Sequence, residues 1–264
     1  MTETEIPDDI ADPLARAGAR LGPFQQRVCW HEEVGSTNDL ATAAADAGAP
    51  EGVVVAANAQ SSGRGRLGRT WASPPGAGLY VSVMLRPLPH ALPLVTIAAG
   101  VAIAEGVEAA SGLSPCVKWP NDVYVGSRKL AGILAEAGSS SAGDYVVVGF
   151  GINLRPVPFP DDIAPRATSI EGELGRDVDR GLVLAECLAA LANRYRLLQG
   201  GARDAVIAAW RSRAAQHLGR PVEWDAEHGT RRGIAHDIDA RGALLVRVDD
   251  RIVRVISGEV RWIS

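Results

Sequence analysis

An arginine- and glycine-rich segment combines residue types that suit phosphate binding. Residues 61–71 read Ser-Ser-Gly-Arg-Gly-Arg-Leu-Gly-Arg-Thr-Trp, with cations at Arg64, Arg66 and Arg69. Glycines let the backbone approach an anion and leave N–H groups exposed, and a guanidinium binds phosphate or carboxylate through paired hydrogen bonds. The segment therefore predicts a loop that binds a polyphosphate, with a solvated basic surface loop as the alternative.

The glycines of this segment also match the Gly-x-Gly-x-x-Gly pattern of dinucleotide-binding folds. That pattern places a pyrophosphate at the N-terminus of a helix that begins inside the motif. Here the following residues, Thr70–Gly76, contain two adjacent prolines and predict a loop instead of a helix. The chain also has no Gly-x-x-x-x-Gly-Lys-Ser/Thr motif, so both the dinucleotide fold and a P-loop ATPase are excluded.

Polar and aromatic residues recur at three other places in the chain. Residues Lys118–Asp122 read Lys-Trp-Pro-Asn-Asp, Lys129 begins a predicted strand, and Gly35–Asn38 reads Gly-Ser-Thr-Asn. Ser36, with Asp39 three residues later, also suits an ordinary helix cap. A helix-capping role and a ligand-binding role for Ser36 are compatible, because a capped and rigid backbone also positions a ligand contact.

The bulk composition is that of an ordinary globular protein. Hydrophobic residues make up 47% and charged residues 22% of the chain, near the average for soluble domains. The net charge of -4 argues against a surface that binds polyanions throughout. Cys29, Cys116 and Cys187 are far apart and the five histidines occur singly, so we expect no disulfide framework and no metal caged by protein ligands alone.

The start of the chain predicts neither a signal peptide nor a DNA-reading module. Residues 1–13 are acidic and contain proline, and no run of about 20 uninterrupted apolar residues occurs. We therefore expect no membrane segment and a reducing, cytoplasmic location. Residues 1–24 are too few for a helix-turn-helix module of about 50–60 residues, so we expect no DNA binding.

The hydrophobic periodicity predicts an α+β fold in three parts. Residues 1–24 form a loosely held extension with a short helix near Pro13–Ala19, 25–217 form the main domain, and 218–264 form a small β domain. The predicted strands follow one another too closely for parallel neighbours, so the sheet is mixed and largely antiparallel, with helices packed on it. Strands are predicted at 27–31, 52–57, 79–85, 117–119, 122–125, 129–137, 145–154, 222–224, 231–237, 243–248, 252–256 and 260–263. Helices are predicted at 39–47, 94–110, 180–198 and 203–217.

Taken together, these motifs resemble the biotin protein ligase family, and they occur in the family's order. The matching segments are Gly35–Asn38, Gln60, Gly63–Gly68, Thr70–Trp71, Lys118–Asp122, Lys129–Leu134 and Gly149–Leu154. The resemblance is strong from Val34 to Leu154 and weaker towards the C-terminus, where Ile256–Glu259 is similar to the family's closing segment. It implies the monofunctional type without a DNA-binding domain, a catalytic domain like that of class II aminoacyl-tRNA synthetases, and a C-terminal SH3-like barrel.

The family links two reactions that use biotin and ATP as substrates, with Mg²⁺ accompanying the ATP. The biotin carboxylate attacks the α-phosphorus of ATP, giving biotinoyl-5′-AMP and pyrophosphate. A lysine of a biotin carboxyl carrier domain of an acyl-CoA carboxylase then attacks the mixed anhydride. Because the first step brings a carboxylate against a triphosphate, the site must supply cations that offset their repulsion.

The resemblance implies a role for each matching residue. Catalytic roles fall on Lys129, Arg66 and Asp122. Biotin binding falls on Ser36, Thr37, Asn38, Gln60, Gly63, Arg64, Gly65, Arg66, Lys129 and Gly132. ATP binding falls on Arg64, Arg66, Arg69, Trp71, Trp119, Asn121, Lys129 and Asn153. Asp122 is a candidate both for receiving the proton of the incoming lysine and for binding Mg²⁺.

Two other functions fit parts of the sequence. A related ligase for lipoate or octanoate shares the fold and a lysine near the acyl group, although the arginine loop and Lys118–Asp122 favour biotin. A noncatalytic RNA-binding module would use the loop arginines on phosphates, but aromatic residues for base stacking are sparse. The sequence leaves the oligomeric state and the identity of the acceptor carboxylase open.

Overall fold

The computed structural model describes residues 5–25, 27–158, 163–226, 229–256 and 258–263. Within these ranges the helices are α1 (Asp8–Ala17), α2 (Thr37–Asp46), α3 (Val95–Ser111), α4 (Ile170–Leu174), α5 (Arg180–Gln199) and α6 (Arg203–Ala214). The strands are β1 (Val28–His31), β2 (Val54–Ala57), β3 (Gly78–Leu85), β4 (Cys116–Lys118), β5 (Asp122–Val125), β6 (Arg128–Ser140), β7 (Gly143–Asn153), β8 (Pro221–Ala226), β9 (Gly229–Ile238), β10 (Leu244–Val248), β11 (Arg251–Val255) and β12 (Val260–Trp262). The predictions for residues 1–4, and for Ser257 in the closing segment, lie outside the described residues.

The main sheet has seven strands in the order β1-β2-β3-β7-β6-β5-β4. Only the edge pair β1 and β2 is parallel, and every other neighbouring pair is antiparallel. The short connections from β4 to β7 impose this arrangement, since a parallel neighbour requires a crossover of about a dozen residues. The predicted mixed, largely antiparallel sheet is confirmed.

The central hairpin of β6 and β7 separates a packed face of the sheet from an open one. Successive side chains along a strand point to opposite faces. On one face, Ile133, Val148 and Ile152 join the hydrophobic core against α3. On the other, Gly132 lies directly opposite Gly151 in the β6–β7 register, and this side-chain-poor surface leaves room for a site.

Helix α3 is the central helix of the core. A Cβ atom at Gly106 would lie 2.4 Å from the backbone Cα of Cys187, so glycine lets α5 approach α3 closely. The segment Leu92–Ser111 is long and apolar enough to cross a membrane, but 67% of its apolar 18-residue stretch is buried inside the fold, as is usual for a core helix. Helix α5 packs chiefly on α3 and α1, and its first residue, Arg180, lies 5.3 Å from the ring centroid of Trp30 on β1.

The prediction of a loosely held N-terminal extension is wrong for the described residues. Helix α1 is followed by a 3₁₀ segment, Gly18–Phe24, and both pack against α5. Ile10 and Phe24 are fully buried. Apolar residues do recur there every three or four positions, but intervening acids and prolines hide this period in the sequence.

The C-terminal strands form a second, five-stranded sheet in the order β11-β10-β9-β8-β12. All of its described pairs are antiparallel, which confirms the predicted small β domain with its SH3-like strand content. Trp119 links the two sheets, because its indole Nε1 donates a 2.9 Å hydrogen bond to the Gly242 carbonyl.

His217 lies at the junction of the two sheets, where burial perturbs its titration. Its ring packs edge-to-face against Tyr124 and Trp262. Burial lowers the pKa of His217 from 6.5 to about 4, and Lys118 and Arg220 act in the same direction. The fold therefore favours neutral histidine, whereas the unfolded chain takes up a proton near its ordinary pKa.

We expect this group to lower the free energy of unfolding as the pH falls from about 6.5 to about 4. Below that range its effect should stay constant. In urea unfolding, His217→Gln should show a shallower loss of unfolding free energy between about pH 7 and about pH 5. The exposed His236 offers a matched control, His236→Gln, which should keep the wild-type slope. Equal slopes for wild type and His217→Gln would contradict the prediction.

Candidate functional site

A cavity of about 890 Å³ opens on the glycine-bearing face of the main sheet. It brings together all but one of the residues to which the sequence assigned a role: Ser36, Thr37, Asn38, Gln60, Arg64, Gly65, Arg66, Arg69, Trp71, Trp119, Asn121, Asp122, Lys129, Gly132 and Asn153. Gly63 instead lines an adjoining cavity of about 1020 Å³ that shares the arginine loop. The volume suits a small organic ligand together with a nucleotide.

One end of the cavity is a buried network of neutral polar groups. The Gln60 side-chain oxygen accepts hydrogen bonds from the Thr37 backbone N–H at 2.9 Å and the Thr37 hydroxyl at 3.2 Å. The Ser82 hydroxyl lies 2.8 Å from Thr37 Oγ1 and 2.5 Å from Asn38 Oδ1. These contacts fix the start of α2, so its polar groups face the cavity in a fixed orientation.

Ser36 occupies the N-cap position of α2, but its side chain makes no capping hydrogen bond. The capping arrangement predicted with Asp39 is therefore absent, and Asp39 instead pairs with Arg64 at 2.7 Å. Ser36 is 3% exposed and lines the cavity. A buried hydroxyl that caps no helix is available to a ligand.

Glu136 connects this end of the cavity to the arginine loop. Its Oε2 accepts a 2.6 Å hydrogen bond from Asn38 Nδ2 and lies 2.8 Å from Arg64. Gly149 makes the arrangement possible, since a Cβ atom there would lie 2.0 Å from Asn38 Oδ1. The carboxylate thus positions both an amide and a loop cation.

Trp71 lies on the floor that Gly132 and Gly151 provide. A Cβ atom would lie 3.0 Å from the indole at Gly132 and 2.3 Å from it at Gly151. Lys129 Nζ is 5.3 Å from the centroid of a Trp71 ring, and the indole Nε1 is buried without a hydrogen-bond partner. The ring is therefore held by packing against the sheet and by the neighbouring cation.

Cations and a carboxylate meet in the middle of the cavity. Lys129 Nζ lies 2.7 Å from Asp122 Oδ1, and both side chains are less than one-third exposed. Arg66 donates a 3.1 Å hydrogen bond to Asn121 Oδ1. Burial lowers the pKa of Arg66 while the Asp122 carboxylate opposes this. Asn121 is itself fixed by a 2.6 Å hydrogen bond to the Ile133 carbonyl.

Two predicted ATP-binding residues use their polar groups on the C-terminal domain. Arg69 pairs with Glu259 of the C-terminal domain at 2.5 Å and remains 63% exposed. Trp119 is only 3% exposed, and its indole N–H is used by Gly242. This geometry favours Trp71 over Trp119 as the aromatic surface for a ligand.

A metal would have few protein ligands here. Within the described ranges, no group of three or more His, Cys, Asp or Glu side chains could hold an ion. Asp122 is a carboxylate in the middle of the cavity, and Lys129 already pairs with it. The site fits an ion that is coordinated mainly by substrate phosphates.

Sequence reasoning missed several residues that shape the cavity. Lys118, Tyr124 and Trp262 form one wall, and none of the three had been assigned a role. Gly149 and Gly151 had a visible signal, because glycines two residues apart in a strand leave one face open. Trp262 had no such signal in the sequence, since its position depends on how the two sheets pack.

Comparison with known proteins identifies the family. Residues 32–153 match the biotin/lipoate A/B protein ligase family, and residues 217–261 match the biotin protein ligase C-terminal domain. A Mycobacterium tuberculosis biotin--[acetyl-CoA-carboxylase] ligase is 35% identical, over 86% of each chain. The chain belongs to the biotin protein ligase family.

Other members agree with this placement in sequence and in fold. The Bacillus subtilis bifunctional ligase/repressor BirA is 32% identical over 96% of this chain and 79% of its own length. The biotin protein ligase from Aquifex aeolicus in complex with biotin and ATP superposes with a TM-score of 0.76 and 30% identity. That match covers 89% of this chain and 98% of the Aquifex chain, so both domains of the family are present.

Proposed function

We infer that this protein is a biotin protein ligase, which adenylates biotin with ATP and then transfers the biotinoyl group to a carrier lysine. The observation that carries this inference is that one cavity joins a neutral polar end to a group of cations beside Trp71. Solved relatives bind biotin and ATP or biotinyl-5-AMP. The lipoate and RNA-binding alternatives lose their support, because the relatives matched over most of this chain are biotin ligases.

We propose that biotin occupies the end of the cavity near α2. Its ureido ring needs a few fixed donors and acceptors in an otherwise apolar pocket. Ser36, Thr37, Asn38 and Gln60 are buried or half-buried there and rigidly held. The carboxylate tail then extends along β6 towards Gly132 and Lys129.

Adenylation requires charge neutralisation where the carboxylate meets the α-phosphoryl group. Lys129 and Arg66 are half-buried cations at the centre of the cavity, where the low dielectric strengthens their effect. They stabilise charge on the α-phosphoryl oxygens as the carboxylate oxygen attacks and pyrophosphate leaves. Arg64, held by Glu136, keeps the loop against the biotin end.

Mg²⁺ enters the proposal as part of the ATP complex. When bound, it would neutralise phosphate charge and orient the leaving group. Asp122 is our candidate for a carboxylate ligand, and its pairing with Lys129 fits an ion that takes most of its ligands from phosphates and water.

We propose that adenine stacks on Trp71, which predicts an effect of adding a side chain to the glycine floor beneath the ring. In Gly151→Ala the new Cβ would lie 2.3 Å from the indole Nε1, so the ring must move. We expect KM for ATP to rise by about tenfold with little change in KM for biotin. Gly100→Ala is the matched control, since its Cβ would find only an ordinary 3.9 Å contact. An unchanged KM for ATP in Gly151→Ala would remove Trp71 from the nucleotide site.

The acceptor in the second step is proposed to be the biotin carboxyl carrier domain of an acyl-CoA carboxylase. The relatives' names, biotin--[acetyl-CoA-carboxylase] ligase, support a carboxylase partner. A cytoplasmic location and the lack of operator binding remain predictions. In the described N-terminal residues, α1 packs on α5 as part of the core.

Biotin-dependent exchange of labelled pyrophosphate into ATP tests the first half-reaction without a carrier. We expect exchange with biotin and Mg²⁺, and none with lipoate in place of biotin. Exchange with lipoate instead of biotin would move the protein to the related acyl ligases. Exchange with neither acid would contradict a ligase function.

A further inference from the structure

Lys118 is held in an aromatic cage that the two sheets build together. Its Nζ lies 4.9 Å from the centroid of the Tyr124 ring and 4.9 Å from that of Trp262. The Tyr124 hydroxyl is 3.5 Å away. Tyr124 belongs to β5 of the main sheet, whereas Trp262 belongs to β12 of the C-terminal sheet.

The cage orients the ammonium without neutralising it. Within the described residues Lys118 makes no ion pair, because the nearby Asp122 carboxylate is engaged by Lys129 at 2.7 Å. Burial lowers the pKa of Lys118, with Lys129 and Arg166 acting in the same direction and Asp122 opposing them. A half-buried cation among other cations gains most from an anion that enters the cavity.

The position of Lys118 specifies which anion that is. Lys118 pairs with Asp122 in the β4–β5 register and lines the same cavity as Lys129 and Arg66. In the sheet order β6-β5-β4, Lys129, Asp122 and Lys118 lie on successive strands, so Lys118 is on the far side of Asp122 from the proposed position of the α-phosphoryl group at Lys129. In an in-line displacement the pyrophosphate leaves opposite the attacking carboxylate, so the β- and γ-phosphates would extend in this direction.

We propose that Lys118 binds the β- and γ-phosphates of ATP, and the pyrophosphate that leaves, with Trp262 positioning its side chain. This inference rests on the proposed adenylation of biotin. Trp262 is itself fixed, since its indole Nε1 donates a 3.0 Å hydrogen bond to the His217 carbonyl. The C-terminal domain thus contributes to the nucleotide site through a ring that orients a lysine of the catalytic domain.

The substitution Lys118→Met tests the proposal because it keeps the apolar stem and removes the charge. We expect KM for ATP in biotin-dependent exchange, and Kd for inorganic pyrophosphate in titration calorimetry, to rise by about 10- to 100-fold. Transfer from preformed biotinoyl-5′-AMP to a carrier domain should stay within about twofold of wild type, since that intermediate has no β- or γ-phosphate. Lys118→Arg, which keeps the charge, should recover most of the affinity for pyrophosphate.

Two further variants separate a binding role from general damage. The Arg231 guanidinium lies 5.7 Å from the ring centroid of Trp224 on the C-terminal sheet, and neither residue lines the cavity. Arg231→Met therefore removes a comparable cation–π pair and should leave KM for ATP unchanged. Trp262→Leu should raise KM for ATP in the same direction as Lys118→Met, because the ammonium loses one wall of its cage. Unfolding midpoints measured beside the kinetics would identify any variant that fails to fold.

Two results would overturn the proposal. One is an unchanged Kd for pyrophosphate in a folded Lys118→Met protein. The other is an equal loss of adenylation and of transfer in Lys118→Met, which would assign Lys118 to the part of the site that both half-reactions use. If wild type bound pyrophosphate in a Lys118-dependent manner but showed no exchange with biotin, the proposed function would fail while the phosphate site would stand.

Discussion

Replacing Lys129 with methionine is expected to lower biotin-dependent pyrophosphate exchange by about 100- to 1000-fold, the usual effect of removing one preorganised charge from a transition state. Lys129 is less than one-third exposed, and its ammonium lies 2.7 Å from Asp122 and 5.3 Å from a ring of Trp71. These contacts hold the amine in the cavity at the point where we propose that the carboxylate and the α-phosphoryl group meet. Because methionine keeps the unbranched stem, the packing against Trp71 should survive.

The neighbouring cation provides the control for this experiment. Arg128 is exposed on the same hairpin and pairs with Glu173, so Arg128→Met should retain exchange within about threefold of wild type. The measurement is the initial rate of labelled ATP formation at saturating biotin. Exchange by Lys129→Met within tenfold of wild type would show that this lysine is not the centre of the first half-reaction.

Replacing Asp122 with asparagine is expected to slow transfer from preformed biotinoyl-5′-AMP by about 100-fold or more, the lower range for general acid–base catalysis. The attacking carrier lysine must lose a proton, since a free lysine titrates near 10.4. Asp122 is a carboxylate in the centre of the cavity, and the Lys129 ammonium holds it in place. Asparagine keeps the shape but cannot accept the proton.

Single-turnover transfer to an isolated carrier domain measures this step apart from adenylation. Asp250 is exposed, outside the cavity lining, and Asp250→Asn should transfer at the wild-type rate. Transfer by Asp122→Asn at the wild-type rate would contradict a role as proton acceptor. A selective loss of adenylation, relieved by higher Mg²⁺, would instead assign Asp122 to the metal.

Local patterns were sufficient to predict much of the main sheet. Alternating residues and short connections predicted β5, β6 and β7 as successive antiparallel strands, because hairpin pairing follows from local spacing. The N-terminal segment was misread, because its apolar residues are separated by charges and prolines, and only packing against α5 gives them a common face. Periodicity alone does not specify which helix a distant helix packs on, so the packing of α5 on α3 and α1 was not predicted.

The candidate site shows the same division between local and long-range information. The arginine loop and Lys118–Asp122 are contiguous in sequence, so their residue types alone predicted a site for anions. The floor beneath Trp71 depends on the register that sets Gly132 opposite Gly151, and the cage around Lys118 depends on how β12 meets the main sheet. Such contacts between residues far apart in sequence require the folded structure.

Biotin transfer to an isolated biotin carboxyl carrier domain tests whether this protein is a biotin protein ligase. The purified protein, ATP, Mg²⁺, biotin and the carrier would be incubated together, and the intact mass of the carrier would be measured by mass spectrometry. We expect the addition of one biotinoyl group, dependent on ATP and abolished when the acceptor lysine of the carrier is changed to arginine. A carrier that stays unmodified with biotin, or that accepts lipoate instead, would contradict the assignment of this protein as a biotin protein ligase.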